Sequence, residues 1–382
     1  NQTAPAEHPV LRPHRLAVGF YDEDPATGKI VRTDRFELDV DGESTVVAAA
    51  AGKKRPAFIL VNDDDLTYTK LRFDADSLSF ALANLQRFDD ALARAVVWLS
   101  LWDMTRDGDL AAEKFIDTTL ALLATETEST TFRYALSCMS TTAWHYTAPD
   151  RRADVVKHVA KELWKLVIAA PGGSDQQFQL VTAYLGYGEE GDAEFAEHAQ
   201  GLFDGSLIVA GLEIDNNFTW TIINALSSVK LIDQAGIDAQ LAKRDTTENR
   251  EFALGAHAVR GDAAAKEWAW NEALNNADLT NMQLEAVARG FGATPRPDLA
   301  EPYAAKYYDV VDWVWKNKSF HMAEALLEGL YPYYADPATL VELGHRWLAD
   351  HEDADNALKR IVRGNVESSQ RTLKVRDFNA AL

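Results

Sequence analysis

Side-chain chemistry needs nucleophiles, bases or metal ligands at workable spacing, and this 382-residue chain offers few. Its nine histidines are His8, His14, His145, His158, His198, His257, His321, His345 and His351. No two stand four apart, so the zinc-binding face of an HExxH helix is missing. His345 and His351 point to different faces of a helix, and His351-Glu352-Asp353 falls between two predicted helices, as a cap region would. The acidic trio Asp63–Asp65 supplies oxygen ligands of the right kind for a metal, but its place after an apolar run reads as a solvated turn. GxSxG, the P-loop and GxGxxG are absent. The single cysteine, Cys138, excludes an internal disulfide, and its neighbours Leu136 and Met139 read as packing around a buried thiol. A pair of catalytic carboxylates stays open, because acids abound and only geometry singles out two of them. No catalytic and no metal-binding residue is therefore assigned.

The remaining signals concern partners. Lys+Arg total 38 against 59 Asp+Glu, a net charge of −21, which repels phosphate backbones and anionic lipid heads. Nucleic acid and membrane partners are not expected. No apolar run is long enough to span a bilayer, and no charged-then-apolar leader is present, so the cytoplasm is the expected location. The ten tryptophans spread over the later part of the chain read mostly as core, because large rings fill gaps between helix layers. A curved helical array also has a concave face, where a few exposed aromatics could meet a ligand.

The elements that must position these residues change character at Val97–Leu110 (VWLSLWDMTRDGDL). Residues 1–13 are polar and proline-rich, a tether; they lack an initiator methionine, as a fragment of something longer would. Over 14–75 apolar residues alternate, with Leu16, Val18 and Phe20 inward, Asp24–Gly28 as a turn, and Phe36, Leu38 and Val40 alternating again. Ser44–Ala51, Phe58–Val61 and Leu66–Phe73 add to about five to seven short strands, an antiparallel sandwich or sheet. From 76 to 382 the period becomes helical, with starts near 77, 89, 109, 129, 150, 174, 191, 218, 234, 247, 262, 280, 298, 318, 337 and 353. Phe88, Leu92, Ala95, Val96, Leu99 and Trp102 mark one buried helix face, and Gly108 a left-handed C-cap. Ser174 with Gln177 and Thr280 with Gln283 fit the capping box, and Asp336-Pro337 fits an N-cap before a first-turn proline. Starts about 20 residues apart give a helix pair every 40 or so, the spacing of HEAT or armadillo units without a strict consensus. The expected fold is mainly α: a small N-terminal antiparallel β-sandwich followed by an irregular α-solenoid shaped as a superhelical bowl.

Phe58–Asp74 (FILVNDDDLTYTKLRFD) resembles the strand-turn-strand of the β-sandwich that follows the catalytic domain in M1-family zinc metallopeptidases of the aminopeptidase N type. LWDMTRDGDL (101–110) resembles their W-x-M-x-R-D-G-x-L segment at the start of the helical, ERAP1-like C-terminal domain. TWTIINAL (219–226), IDAQLAKRDT (237–246), AKEWAW (265–270), the 290–308 stretch and the closing KRIVRGNVESSQRTLKVRDF are similar to actinobacterial members. The resemblance runs from about residue 10 to 380.

It implies that the zinc, its HExxH…E ligands and the GxMEN segment that grips the peptide N-terminus belong to a catalytic domain upstream of this chain. The chain itself would then be catalytically inert and hold no cofactor. Its helical domain would cap the active-site cleft of the same polypeptide, form the peptide chamber and restrict entry of peptide substrates. Family members often carry an arginine from the late helices toward that chamber; Arg371, with Arg376 as second choice, lies in the comparable C-terminal region, and Trp220 is a chamber-wall candidate. Two other readings remain: a free-standing helical adaptor that binds protein on its concave face, and an (α/α)-barrel carbohydrate enzyme with paired acids.

Overall fold

A computed structural model describes residues 1–6 and 8–382. The tether expected over 1–13 includes Glu7, which lies outside the described residues. The chain divides into two compact units, 1–143 with 378–382, and 144–377.

The first unit opens with a three-stranded antiparallel sheet, β1 (His14–Glu23), β2 (Ile30–Val40) and β3 (Phe58–Asp63), in the order β2-β1-β3. Leu16, Val18 and Phe20 pack with Phe36 on one face, as the alternation predicts. The central strand is covered on the other face too, where the Tyr21 and Phe58 rings meet Phe88. The strand count is smaller than the sequence suggests. Ser44–Ala51 holds a 3₁₀ turn at Ala48–Ala50. Leu66–Phe73 runs without ladder pairing, because Asn62, Asp64 and Asp65 take left-handed φ of 59°, 64° and 51° and turn the chain off the sheet. The acidic turn is also not merely solvated. Asp63 is 1% exposed, accepts from the Tyr21 hydroxyl at 2.6 Å and pairs with Arg32 at 2.8 Å. A side chain at Gly19 would fall 2.5 Å from the Asp63 carboxylate, so the close approach requires glycine.

Helices α1 (Ala75–Asn84), α2 (Ala91–Arg106), α3 (Ala112–Leu123) and α4 (Ser129–Thr141) complete this unit. α2 closes as the sequence predicts: Gly108 has φ 73°, Asp109 N donates to Met104 O and Gly108 N to Thr105 O, a Schellman end. Its buried face differs from expectation. Leu92 and Leu99 are exposed, whereas Arg94, Ser100 and Thr105 are buried. Each inward polar group carries its own partner. Arg94 Nε and Nη2 grip both oxygens of Glu126 at 2.8 and 2.9 Å, and the two hydroxyls donate to carbonyls one turn back. Satisfied polar groups can take the core side, and apolar spacing alone then misplaces the stripe.

The second unit is helical throughout. It holds α5 (Arg152–Ala169), α6 (Asp175–Leu185), α7 (Ala193–Asp204), α8 (Asn216–Ser228), α9 (Gln234–Lys243), α10 (Thr247–Val259) and α11 (Ala263–Asn275). Then follow α12 (Asn281–Gly292), the one-turn α13 (Pro297–Ala300), α14 (Ala304–Asn317), α15 (Phe320–Gly329), α16 (Pro337–Asp350) and α17 (Asn356–Ala380), the last of which belongs to this unit as far as Asp377. Observed starts lie within a few residues of those read from the sequence. α8 packs on α10, α10 on α12 and α12 on α15, the first two contacts skipping one helix and the third skipping the one-turn α13 and α14, so the helices build two layers. Thr280 and Gln283 form the full capping box, and Asp336 caps α16 ahead of Pro337. Ser174 makes only its half: it accepts from Gln177 N, while the Gln177 carboxamide is drawn to Gly173 N and Ala210 O. α10 and α12 lie close because small residues face each other there; a Cβ at Gly290 would sit 2.6 Å from the Gly255 carbonyl oxygen.

Close packing buries helix ends, whose last carbonyls have no partner within the helix. Lys266 of α11, 2% exposed, meets this need at the ends of α10 and α12. Its ammonium shares its three N–H bonds among Ala258 O at 2.7 Å, Phe291 O at 3.1 Å, Gly290 O at 3.2 Å and Thr294 Oγ1 at 2.5 Å, and the Thr294 hydroxyl donates its own hydrogen bond to Val259 O. Burial lowers its pKa to about 7. Replacing Lys266 by Met keeps the apolar stem and strands those carbonyls. The expected cost is about 3 kcal/mol or more, read as a lower urea midpoint with unchanged m-value.

Candidate functional site

The tyrosine-rich turn Leu330–Asp336 between α15 and α16 and the length of α17 frame the most unusual chemistry of the second unit. Asn365 of α17 accepts from the Tyr333 hydroxyl at 2.9 Å and donates to the Tyr307 hydroxyl at 3.0 Å. Tyr307 in turn donates to Leu327 O, and the Tyr331 hydroxyl meets Ser369 at 2.9 Å. These bonds fix α14, α15, the turn and α17 against each other, so the next residue along, Tyr334, has one position. Its ring stacks on His145 at 4.7 Å between centroids. His145 belongs to a π-helical turn, Thr142–Tyr146, a widened coil that turns side chains off the regular helical track.

One arginine bonds to the backbone of this pair, and the charge of a second acts on both rings electrostatically. Arg376 of α17, 8% exposed, donates from Nε to His145 O at 2.7 Å. Its Nη2 is buried without a hydrogen-bond partner among the described residues, and so are Nε and Nη2 of Arg152, the first residue of α5. Each orphaned donor costs about 1–3 kcal/mol of lost hydration. Burial lowers the pKa of Arg376 to about 10, and the nearby Arg152 cation adds to this while Asp336 opposes it. Burial also lowers that of Arg152. His145 is held down to about 3, by burial first and then by the two guanidinium charges, so it is a neutral ring at ordinary pH. Burial pushes the Tyr334 hydroxyl up to about 12. The cluster is thus a buried cationic pair beside a neutral aromatic stack. No proton transfer near neutral pH is open to it.

The three residues singled out from the sequence separate. Arg371 is partly exposed on α17 and has no ion pair among the described residues. It stands about 140° around the helix from Arg376. Trp220 is 1% exposed and packs inside the unit with Ile223, Ile237, Ala253 and Ala256. Of the three, only Arg376 joins the cluster; His145, Arg152 and Tyr334 come from segments up to 231 positions away, with no shared motif that could have announced them. Cys138 is 2% exposed and burial pushes its thiol up to about 12. Among the described residues no group of three or more His, Cys, Asp or Glu could hold a metal ion, and no helix is long and apolar enough to cross a membrane.

The helical layers and the strand that leads into them define a known class. Residues 58–371 match the ERAP1-like C-terminal domain, and the chain belongs to that family. Over 98% of its length it is 34% identical to the aminopeptidase N of Streptomyces lividans, of which it spans 43%.

The buried histidine gives a pH test. Its folded pKa lies below the ordinary value of about 6.5, so the unfolded chain takes up a proton first as pH falls. Stability therefore drops between about pH 6.5 and 3, by up to about 1.4 kcal/mol per pH unit from this group. His145→Phe keeps the ring on Tyr334 and removes that contribution. Urea midpoints at pH 7, 6 and 5 are expected to converge on those of the wild type, or cross them, as pH falls.

Proposed function

We propose that this chain is the non-catalytic C-terminal part of a zinc aminopeptidase that removes N-terminal residues from peptides. The single observation that carries the proposal is the similarity to Streptomyces lividans aminopeptidase N along 98% of the chain but over only 43% of that enzyme. The metal-ligand sets of peptide hydrolysis do not fit the residues present here, so zinc and its ligands are assigned to a catalytic domain of the same polypeptide, and no step through the metal is derived. The two helical layers, stacked like HEAT-type hairpins, cap the cleft, wall the peptide chamber and limit which peptides enter. Arg371, partly exposed and without an ion pair among the described residues, is the arginine assigned to the peptide, with Arg376 behind it on the same helix and Trp220 stiffening the wall from within. The acidic surface favours the cationic N-terminus of a peptide over anionic polymers. The location assigned is the cytoplasm.

An antibody against the chain, used on fractionated extract of the source cells, tests this. A band well above 42.3 kDa that coelutes with zinc-dependent release of aminoacyl anilides is the expected result. A band at 42.3 kDa, away from the activity, would replace this reading with a free-standing helical adaptor.

A further inference from the structure

Helix α3 begins without a cap of its own. Its N-cap residue is Ala111, which has no side-chain acceptor, and the first N–H groups of a helix have no partner within it. Ala112, the first helical residue, is buried at 1% exposure, so its amide needs an acceptor from the protein. That acceptor lies 267 positions further along: Asn379 Oδ1 takes the Ala112 N–H at 2.8 Å. Asn379 stands in the last turn of α17 and is 2% exposed. α17 runs in the second unit as far as Asp377, and residues 378–382 belong to the first.

The bond matters because of what α3 supports. It packs on α1, α2 and α4, the other α-helices that lie wholly in its unit. Phe115 meets the Trp98 and Trp102 rings of α2 at 5.8 and 5.5 Å between centroids, and Thr119 accepts from Trp98 Nε1 at 3.1 Å. Phe115 sits one turn beyond the cap, and its N–H donates to Ala111 O. An open first turn therefore reaches the α2 contact directly. The segment that closes this turn is thinly held. Phe378 is half-buried, residues 380–382 are exposed, and Asn379 is the one buried residue of the five.

We propose that Phe378–Leu382 is a strap that sets the state of α3. With Asn379 in place the first turn of α3 is closed; withdrawal of the last turn of α17 opens it and, through Phe115, loosens the packing of α3 on α2. An event that unwinds or displaces the end of α17 is thereby felt in the first unit at a helix remote in sequence. The inference goes beyond the proposed function and does not depend on it, since it concerns a cap that one part of the chain supplies to another.

Amide hydrogen exchange of the full chain, read over α3, tests this. In Asn379→Ala the amides of Ala112–Phe115 are expected to exchange roughly threefold to thirtyfold faster than in the wild type. Asn379→Asp keeps an acceptor oxygen at the same place and adds a negative charge suited to a helix N-terminus, so at pH 7 it should return much of the protection. Asp377→Pro alters an exposed residue of the second unit and breaks the last turn of α17. It should speed exchange in α3 as Asn379→Ala does, while circular dichroism and unchanged exchange in α8 and α10 show that each variant folds. The proposal is overturned if folded Asn379→Ala leaves the α3 amides at wild-type rates, or if Asn379→Asp exchanges as fast as Asn379→Ala. It is equally overturned if Asp377→Pro leaves α3 unchanged, or if exchange rises alike throughout the chain.

Discussion

A helix that ends inside packed protein leaves carbonyls that water cannot reach, and the second unit is assembled around solutions to that constraint. The Lys266 ammonium is the most concentrated of them. From α11 it reaches the ends of α10 and α12 and, with Thr294, satisfies carbonyls of both. Because α10 packs on α8 and α12 packs on α15, this one side chain governs how two layers meet. The negative ends of two helices also favour its charged form, which counters the burial that lowers its pKa. The tyrosine and asparagine network around Tyr307 and Asn365 treats the end of α15 in the same way, with neutral donors to Leu327 O.

Interior cations are handled in three ways in a chain whose net charge is −21. Arg94 is neutralised by a bidentate carboxylate. Lys266 is solvated by carbonyls instead. Arg152 and Arg376 receive neither in full: the His145 carbonyl accepts from Nε of Arg376 alone, and Nη2 of Arg376 and the edge of Arg152 have no hydrogen-bond partner among the described residues. Arg94 and Lys266 therefore mark the contrast: a buried cation elsewhere in the chain is given acceptors, and these two arginines are given fewer.

Much of the architecture was legible because it depends on local periodicity. Helix starts, the Gly108 end of α2, the Thr280 box and the Asp336-Pro337 start each rest on a few neighbouring residues whose physics is complete within one turn. The handover from alternating to helical spacing was legible for the same reason. Two errors have one cause. The face of α2 was misread because Arg94, Ser100 and Thr105 look polar yet carry partners inward, and Asp63 was placed in solvent although Tyr21 and Arg32 wait for it. Partners distant in sequence change whether a polar residue belongs inside.

The cationic cluster is the extreme of that effect. His145, Arg152, Tyr334 and Arg376 come from a π-turn, a helix start, a loop and a late helix, and no spacing rule links them. Arg376 was reached only through resemblance, and as second choice to Arg371. What distinguishes them is visible only after folding: Arg371 keeps part of its surface in solvent, whereas Arg376 is drawn under the Tyr334 turn by its bond to His145 O. An exposed arginine is solvated whether or not a ligand arrives. A buried one with unsatisfied donors bears the cost of its lost hydration in the folded state, a cost that exposure spares Arg371.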